Sequence, residues 1–320
     1  VSDAAPPPIP VSVVVMTRDE EANIAACLAG LGRFAEVFVV DSESRDRTAT
    51  LAAGLGARVV TFRWNRRYPK KKQWCLDTLP FGFPWVLYID ADERVPPALA
   101  AEIAARFAAG PEAPAGSAAG YFIEGRPVFL GRRLRFGQRN RKLILFDRRR
   151  ARFPDCPDLD VAAMWEVEGH YQPCLAGRAG LLRAHLWHED SKPLYAWIER
   201  HNRYSDWEAA LRRDGRLRAL AGHEPPWRRM LKIAFDRLPG RPLLAFLHSY
   251  VWKLGFLDGQ AGFHYAAARA FYYWQVAAKR LALEAGDRAQ AAGSTLSEAS
   301  PLSALTSSNA RRRTNGSAMR

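Results

Sequence analysis

Short apolar runs separated by polar stretches of helical period dominate the first hundred residues. "VSVVVMT" (Val11–Thr17) is an uninterrupted apolar run that predicts a buried strand. After "RDEE", Ile24, Cys27, Leu28 and Leu31 recur on one face of a helix closed by Gly32. "EVFVV" (Glu36–Val40) predicts a second strand, and Asp46 a cap for a helix that turns Leu51 and Leu55 inward. "ARVVTF" is a third strand, "KKKQWCLDTL" a short helix and "WVLYI" a fourth strand. Pro96 and Pro97 then open the helix "ALAAEIAARFAA", a position where the missing N–H costs nothing.

Strands alternating with helices imply right-handed βαβ units, hence an α/β fold with a mainly parallel sheet. Ligands of such sheets bind beyond the carboxyl ends of the strands. "TRDEE", "DSESRD" and "DADE" all fall at those ends, so three acidic loops share one rim. From Gly120 to about 153 the texture changes to strands with long turns, "GYFIEGRPVFLGRRLRFG" and "RKLILFDRR". "PLYAWIERHNRYSDWEAAL" predicts a helix with Leu194, Trp197, Ile198, His201, Tyr204 and Glu208 on one side. Further helical segments follow: "RRMLKIAFDRL", "RPLLAFLHSYVWKLGFLDG" and "FHYAAARAFYYWQVAAKRLAL". The division this suggests is a tail over 1–9, an α/β domain over 10–190, a helical region over 191–285 and a disordered Ser/Ala/Thr-rich tail over 286–320.

Composition adds a partner class. At 48% hydrophobic and 25% charged the chain is globular, and a formal net charge of +14 points to an anionic partner. Nucleic acid, an anionic membrane and phosphorylated small molecules all qualify, beside the plain reading of a solvated basic face. Cys27, Cys75, Cys156 and Cys174 show no zinc-like spacing, which suggests a reducing compartment. The N-terminal "VSDAAPPPIP" lacks the basic start and apolar core of a signal peptide. No window reaches the roughly 18 apolar residues of a spanning helix.

The chemistry concentrates at "VLYIDADERV" (Val86–Val95), a buried strand that ends in carboxylates. If the strand continues, Asp90 and Asp92 share a face, with Ala91 opposite. Two carboxylates at a strand end suit Mg²⁺ or Mn²⁺, with phosphate and water completing the shell. Zinc is disfavoured without an adjacent His or Cys. The competing reading is an acidic surface turn.

"VSVVVMTRDEEANI", "VVDSESRDRT" and "WVLYIDADERV", with "LRAHLWH" and "RHNRYSDWEA" downstream, resemble an inverting family 2 glycosyltransferase of the GT-A fold. The resemblance runs from about 10 to 279 and is strongest to the lipopolysaccharide core β-glucosyltransferase branch. It implies a GT-A (Rossmann-like), mainly parallel mixed sheet flanked by helices, with a C-terminal helical region on a membrane surface. The branch carries Asn where Asp19 stands, and a shorter "VHE"-type segment where this chain has "WEVEGHYQP".

The resemblance implies roles residue by residue. Thr17, Arg18 and Glu20 would hold the donor nucleotide. Asp41 would accept a hydrogen bond from uracil, Asp90 would lie near the ribose, and Asp92 would ligate the metal, with Asp90 a second candidate ligand. Of Lys70, Lys71 and Lys72, Lys72 is taken as a phosphate contact, against the alternative of a solvated lysine run. Arg139 and Arg141 would clamp phosphate bidentately. Inversion needs a base for the acceptor hydroxyl. Glu168 and Glu166 are the candidates, with Asp158 and Asp160 behind them. His170, His185 and His188 are read as satisfied half-buried imidazoles.

The expected function is therefore metal-dependent transfer of a sugar from a UDP-sugar donor to a lipid-linked or lipopolysaccharide-core acceptor. The expected place is the cytoplasmic face of a bacterial inner membrane, reached peripherally by the aromatic and basic C-terminal helices with Arg269, Lys279 and Arg280. A polyprenyl-phosphate glycosyltransferase is the alternative within the enzymes. A basic nucleic-acid-binding protein is the alternative outside them, and it leaves the acidic rim without a role, so no nucleic acid is expected.

Overall fold

The computed structural model describes all residues except 1–5, 113–117, 156–160, 162–165, 168–171, 217–229, 231–237, 239 and 299–320. The N-terminal half alternates as its pattern predicts. Strands β1 (Ile9–Thr17), β2 (Phe34–Asp41), β3 (Arg58–Thr61) and β4 (Trp85–Asp90) are separated by helices α1 (Ile24–Ala29), α2 (Thr48–Gly54) and α3 (Lys71–Thr78). A two-residue strand β5 (Glu93–Arg94) precedes α4 (Pro97–Arg106). The long strands β6 (Gly120–Phe129) and β8 (Asn140–Asp147) flank the short β7 (Arg132–Arg133). After β9 (Ala151–Arg152) and β10 (Cys174–Leu175), β11 (Ala179–His188) completes the sheet.

The sheet order is β3-β2-β1-β4-β8-β6-β11-β5, with β7 on β6 and β9 pairing β10 apart. β1, β2, β3 and β4 run parallel, β8 is antiparallel to both β4 and β6, and β11 returns parallel to β6. The sheet is thus mixed and mostly parallel, with helices packed on it. β1 and β4 lie in its middle and are buried on both faces, which is why they read as continuous apolar runs rather than alternating ones. Phe146 is fully buried, with its ring 5.4 Å from Tyr88 and 6.1 Å from Phe153. Truncating such a ring costs about 3–5 kcal/mol.

The C-terminal part is helical: α5 (Leu194–Arg213), α6 (Arg241–Leu247) and α7 (Gly259–Glu298). A π-turn (His248–Trp252) and a 3₁₀ turn (Gly255–Asp258) join the last two. Phe129 of β6, Leu134 and Ala261 form a second small core on which Trp197 and Tyr265 pack, and this seats the helices beside the sheet. No helix of the described residues is long and apolar enough to cross a membrane.

Several local expectations fail for physical reasons. Leu55 is 56% exposed, because α2 ends at Gly54 and the chain turns before Leu55 can face the sheet. Leu194 and Ile198 are exposed, while Trp197 packs on Phe129, so the packed line of α5 is narrower than its apolar content suggests. Residue 286 is no break in secondary structure. α7 continues to Glu298 although Gly286, Gly293, Ser294 and Thr295 lower the helix propensity of that stretch. "RRMLKIAFDRL" lies outside the described residues apart from Met230 and Leu238.

Candidate functional site

The carboxyl ends of β1, β2 and β4 converge on one edge of the sheet, and the first two acidic loops there are stapled together. The Asp19 amide donates to Ser44 Oγ at 2.8 Å, and Asp19 Oδ1 accepts from the Arg45 amide at 2.7 Å. Asp19 has φ +53°, a left-handed conformation that Asp and Asn tolerate better than other side chains. Asp46 accepts from the amides of Glu21 and Thr48. Asp41 is buried and accepts from Thr17 Oγ1 at 3.0 Å and the Ser44 amide at 2.9 Å. Several carboxylates on this rim thus hold backbone N–H groups, and Asp41 does not line the cleft described below.

Lys71 is the hidden member of this edge. It is fully buried, and its Nζ donates to the Thr17 carbonyl at 2.9 Å and Ser42 Oγ at 2.8 Å, tying the loops after β1 and β2. Burial pulls its pKa down to about 8. Lys72, the lysine singled out from the sequence, lines the cleft with its Nζ 5.8 Å from the Phe153 ring centroid. The alternative of a solvated lysine run fails, because the helical phase of α3 turns Lys71 into the protein.

β4 ends at Asp90, and residues 91–92 form a turn. The shared face expected for Asp90 and Asp92 required a continuing strand, so the two carboxylates instead meet different cations. Asp90 and Glu93 both bind Lys142 Nζ at 2.7 Å. Glu93 is buried, and its other oxygen accepts the Asp90 amide at 3.0 Å. Burial pushes the Asp90 carboxyl up, but Lys142, helped by Lys72, outweighs it and holds the group well below the ordinary carboxylate range.

Asp92 is buried, with His188 Nε2 at 3.3 Å and Arg200 Nη1 at 3.4 Å. β11 delivers His188 to this position because its last residue pairs with Glu93 of β5. Burial pulls the His188 pKa down, but Asp92 and Glu93 outweigh it and raise it above the ordinary imidazole value. His188 is half-buried with its ring nitrogens turned to Asp92 and Glu93, which agrees with the reading of a satisfied imidazole and adds the carboxylate partners. The signal in the sequence was its place at the end of a strand, which nothing local could connect to Asp92.

A polar relay continues away from Asp92. Arg200 binds Asp190 at 2.6 Å, and Asn23 Nδ2 donates to Asp190 at 2.9 Å and to Glu20 at 2.8 Å. Lys192 Nζ binds Glu20 at 2.6 Å. Burial raises the Glu20 pKa against the opposing hydrogen bonds from Asn23 and Lys192. Glu20 is therefore committed to this relay.

These residues border a cleft of about 2390 Å³ that runs from Thr17, Arg18 and Asp92 to Tyr265 and Tyr272 on α7. Glu166 also lines it, buried, with Arg18 Nη1 at 3.1 Å from its Oε2 and its carbonyl accepting from the Lys71 amide. Arg139 and Arg141 lie on the same cleft, both directed at Glu124, at 3.0 and 3.8 Å. Glu168, Asp158, Asp160 and His170 lie outside the described residues. His185 stacks edge-on against Trp187, 4.7 Å away.

Among the described residues no group of three or more His, Cys, Asp or Glu is gathered to enclose a metal. The Asp92–His188 pair offers one hard and one borderline donor facing a cleft. Such a pair can hold Mn²⁺ when the ligand and water supply the rest of the shell, whereas Mg²⁺ would rely on Asp92 alone, and the imidazole beside Asp92 removes the ground on which the sequence disfavoured zinc. It does not fit a closed structural metal.

In an open, mostly parallel sheet, ligands bind beyond the carboxyl ends of the strands, where the acidic loops and the Asp92–His188 pair lie. Residues 12–165 match the family model "Glycosyl transferase family 2". The lipopolysaccharide core biosynthesis glycosyltransferase LpsC of Rhizobium meliloti (strain 1021) is 35% identical over 130 residues, 39% of this chain and 45% of the relative. An uncharacterized glycosyltransferase of Rickettsia bellii (strain RML369-C) is 38% identical over 99 residues, 31% of this chain and 33% of that relative. The chain thus spans less than half the length of the curated relatives it matches. Glucosyl-3-phosphoglycerate synthase from Mycobacterium tuberculosis, solved with Mn²⁺, UDP and glucosyl-3-phosphoglycerate, matches at TM-score 0.25 and 22% identity, over 38% of this chain and 44% of that one.

Proposed function

We propose that the chain is a metal-dependent inverting glycosyltransferase that moves a sugar from a UDP-sugar to a lipid-linked or lipopolysaccharide-core saccharide, working peripherally on the cytoplasmic face of a bacterial inner membrane. The observation that carries this reading is the Asp92–His188 pair, 3.3 Å apart, at the carboxyl edge of the sheet in a chain whose residues 12–165 match family 2, and open to a large cleft. The relative named for lipopolysaccharide core biosynthesis supports the acceptor class.

In this reading Asp92 and His188 hold Mn²⁺, or Asp92 alone holds Mg²⁺, and the chemistry of the ion when bound is neutralisation of charge on the departing diphosphate. Thr17 and Arg18 border the nucleotide, Asp90 turns its exposed side to the ribose, and Lys72 stands toward phosphate. Lys142 and Arg200 keep the three buried or half-buried carboxylates from repelling the diphosphate. Arg139 and Arg141 add positive charge further along the cleft. The uracil contact assigned to Asp41 would be indirect, because Thr17 and Ser44 occupy its carboxylate.

The acceptor hydroxyl must lose a proton as its oxygen attacks the anomeric carbon opposite UDP. Glu166 and Glu168 are the candidate bases. Glu166 faces the cleft, and Arg18 holds its carboxylate in place. A UDP-release assay with each Glu→Gln variant tests this. The variant that loses turnover while UDP binding persists identifies the base, and full turnover in both refutes the assignment.

A further inference from the structure

The turn between α6 and α7 has an inverted polarity. Its polar side chains point inward: Ser249 and Asp258 are 1% and 6% exposed. Ser249 Oγ accepts from the Gln138 amide at 3.2 Å, and Asp258 accepts from the amides of Arg135 and Phe136 at 3.0 and 2.8 Å. The Gly137 amide donates to the Lys253 carbonyl at 2.8 Å. The backbone is packed so closely that a Cβ on Gly255 would meet the Ser249 carbonyl at 2.7 Å, and one on Gly262 would overlap the Gly255 carbonyl. This turn is tightly constrained.

Its apolar side chains point outward. Trp252 is 78% exposed, Val251 52% and Leu257 53%, and Leu254 and Phe256 are nearly as open. Leu243 and Leu247 of α6 extend the patch. A soluble loop of fixed shape gains nothing from this arrangement, whereas an apolar phase would stabilise each of these side chains. Exposed cations surround the tip: Lys253 within it, and Arg132 and Arg135 on the loop it is bonded to. The acid of the segment, Asp258, is buried on backbone amides. The same loop carries Leu130, Gly131 and Gln138 to the cleft wall.

We infer that residues 251–257 form a wedge that inserts into an anionic lipid bilayer and seats the mouth of the cleft on the membrane. The wedge enters the acyl boundary with Trp252 and Leu257 while Lys253, Arg132 and Arg135 meet anionic headgroups. The use of this docking rests on the lipid-linked acceptor proposed above, but the docking itself stands on the tip. The helix α7, where basic and aromatic residues suggested a membrane face, spends its cations internally. Lys279 binds Asn202, Ser205 and Asp206 of α5, Arg280 binds Glu284, and Arg269 is held by Tyr265 and Tyr273.

The test is sedimentation of the full chain with vesicles of phosphatidylcholine, with and without phosphatidylglycerol, beside a UDP–Mn²⁺ thermal shift. The expected result is binding to the anionic vesicles, quenching of tryptophan fluorescence by brominated acyl chains, a quenching that Trp252→Ser removes, and roughly tenfold or greater weakening in Trp252→Ser/Leu257→Ser. Lys253→Glu should weaken binding to anionic vesicles only. An intact chain that fails to bind anionic vesicles overturns the inference, as does a double variant that binds equally well. A wild-type dimer that the double variant dissociates, without vesicle binding, overturns it in favour of a contact between copies. Vesicle binding without a UDP–Mn²⁺ shift keeps the wedge and removes the donor reading, and the reverse removes the wedge alone.

Discussion

The carboxyl edge of the sheet and the α6–α7 turn solve opposite problems with the same kinds of residue. At the sheet edge, Asp90, Asp92 and Glu93 are gathered where burial penalises charge, and Lys142, Arg200 and His188 are brought from distant elements to balance them. At the turn, the polar groups are consumed by the backbone and apolar groups face outward. In the functions proposed for them, the buried charge cluster holds a metal ion and the exposed apolar tip meets a lipid surface. The difference teaches that function here is marked by residues placed against their ordinary preference.

The sharpest way to break the comparison is at Asp92. Asp92→Asn keeps the shape but removes the anionic donor, and transfer should fall by roughly 10²–10³-fold in a UDP-release assay, with some loss of stability because His188 and Arg200 lose their carboxylate. Lys142→Met attacks the balance rather than the ligand. It leaves Asp90 and Glu93 facing each other without their shared cation, and urea denaturation should show a loss of about 3–5 kcal/mol. His188→Ala removes one of two donors. Since even the partners of metal ligands are worth roughly 10–100-fold in affinity, Mn²⁺ titration in the presence of UDP should weaken by at least that.

A smaller effect sharpens the comparison through pH. His201 stacks on Trp197 and binds the Trp197 carbonyl through Nδ1. Burial pulls its pKa from 6.5 to about 4. Between those values the unfolded chain binds a proton that the folded chain does not, so stability falls as pH drops from 6.5 toward 4. His201→Gln should flatten that slope, and the ring resonances of His201 should hold steady by NMR down to about pH 4. At the turn, Trp252→Ser should change stability by less than about 0.5 kcal/mol, since the side chain is mostly in solvent.

The two regions also differ in how far they could be read in advance. β1, β2 and β4 were legible because strands buried on both faces write themselves as apolar runs, and their ends located the acidic rim. What the carboxylates do was not legible. The local contact of Asp46 with the Thr48 amide at the start of α2 fits its expected capping role, but its bond to the Glu21 amide and the Thr17 hydroxyl on Asp41 cross between loops. Lys142, His188 and Arg200 lie roughly 50 to 110 positions from their partners, a separation no local pattern encodes. Lys71 looked like one of three solvated lysines, and only the helical phase of α3 buries it. In the C-terminal region the apolar content was visible, but its direction was not. Trp252 faces outward because its turn is pinned by Ser249 and Asp258 to a loop more than a hundred positions earlier, and Trp197 faces inward because Phe129 of β6 meets it.

The central claim is that the carboxyl edge of this sheet binds a nucleoside diphosphate through a cation held by Asp92. The direct measurement is the thermal shift of the purified chain with UDP, with Mn²⁺ and with both, repeated on Asp92→Asn. The account predicts a shift of several degrees that requires both ligands in the wild type and is absent in the variant. A shift of equal size in Asp92→Asn, or none in the wild type, would contradict it.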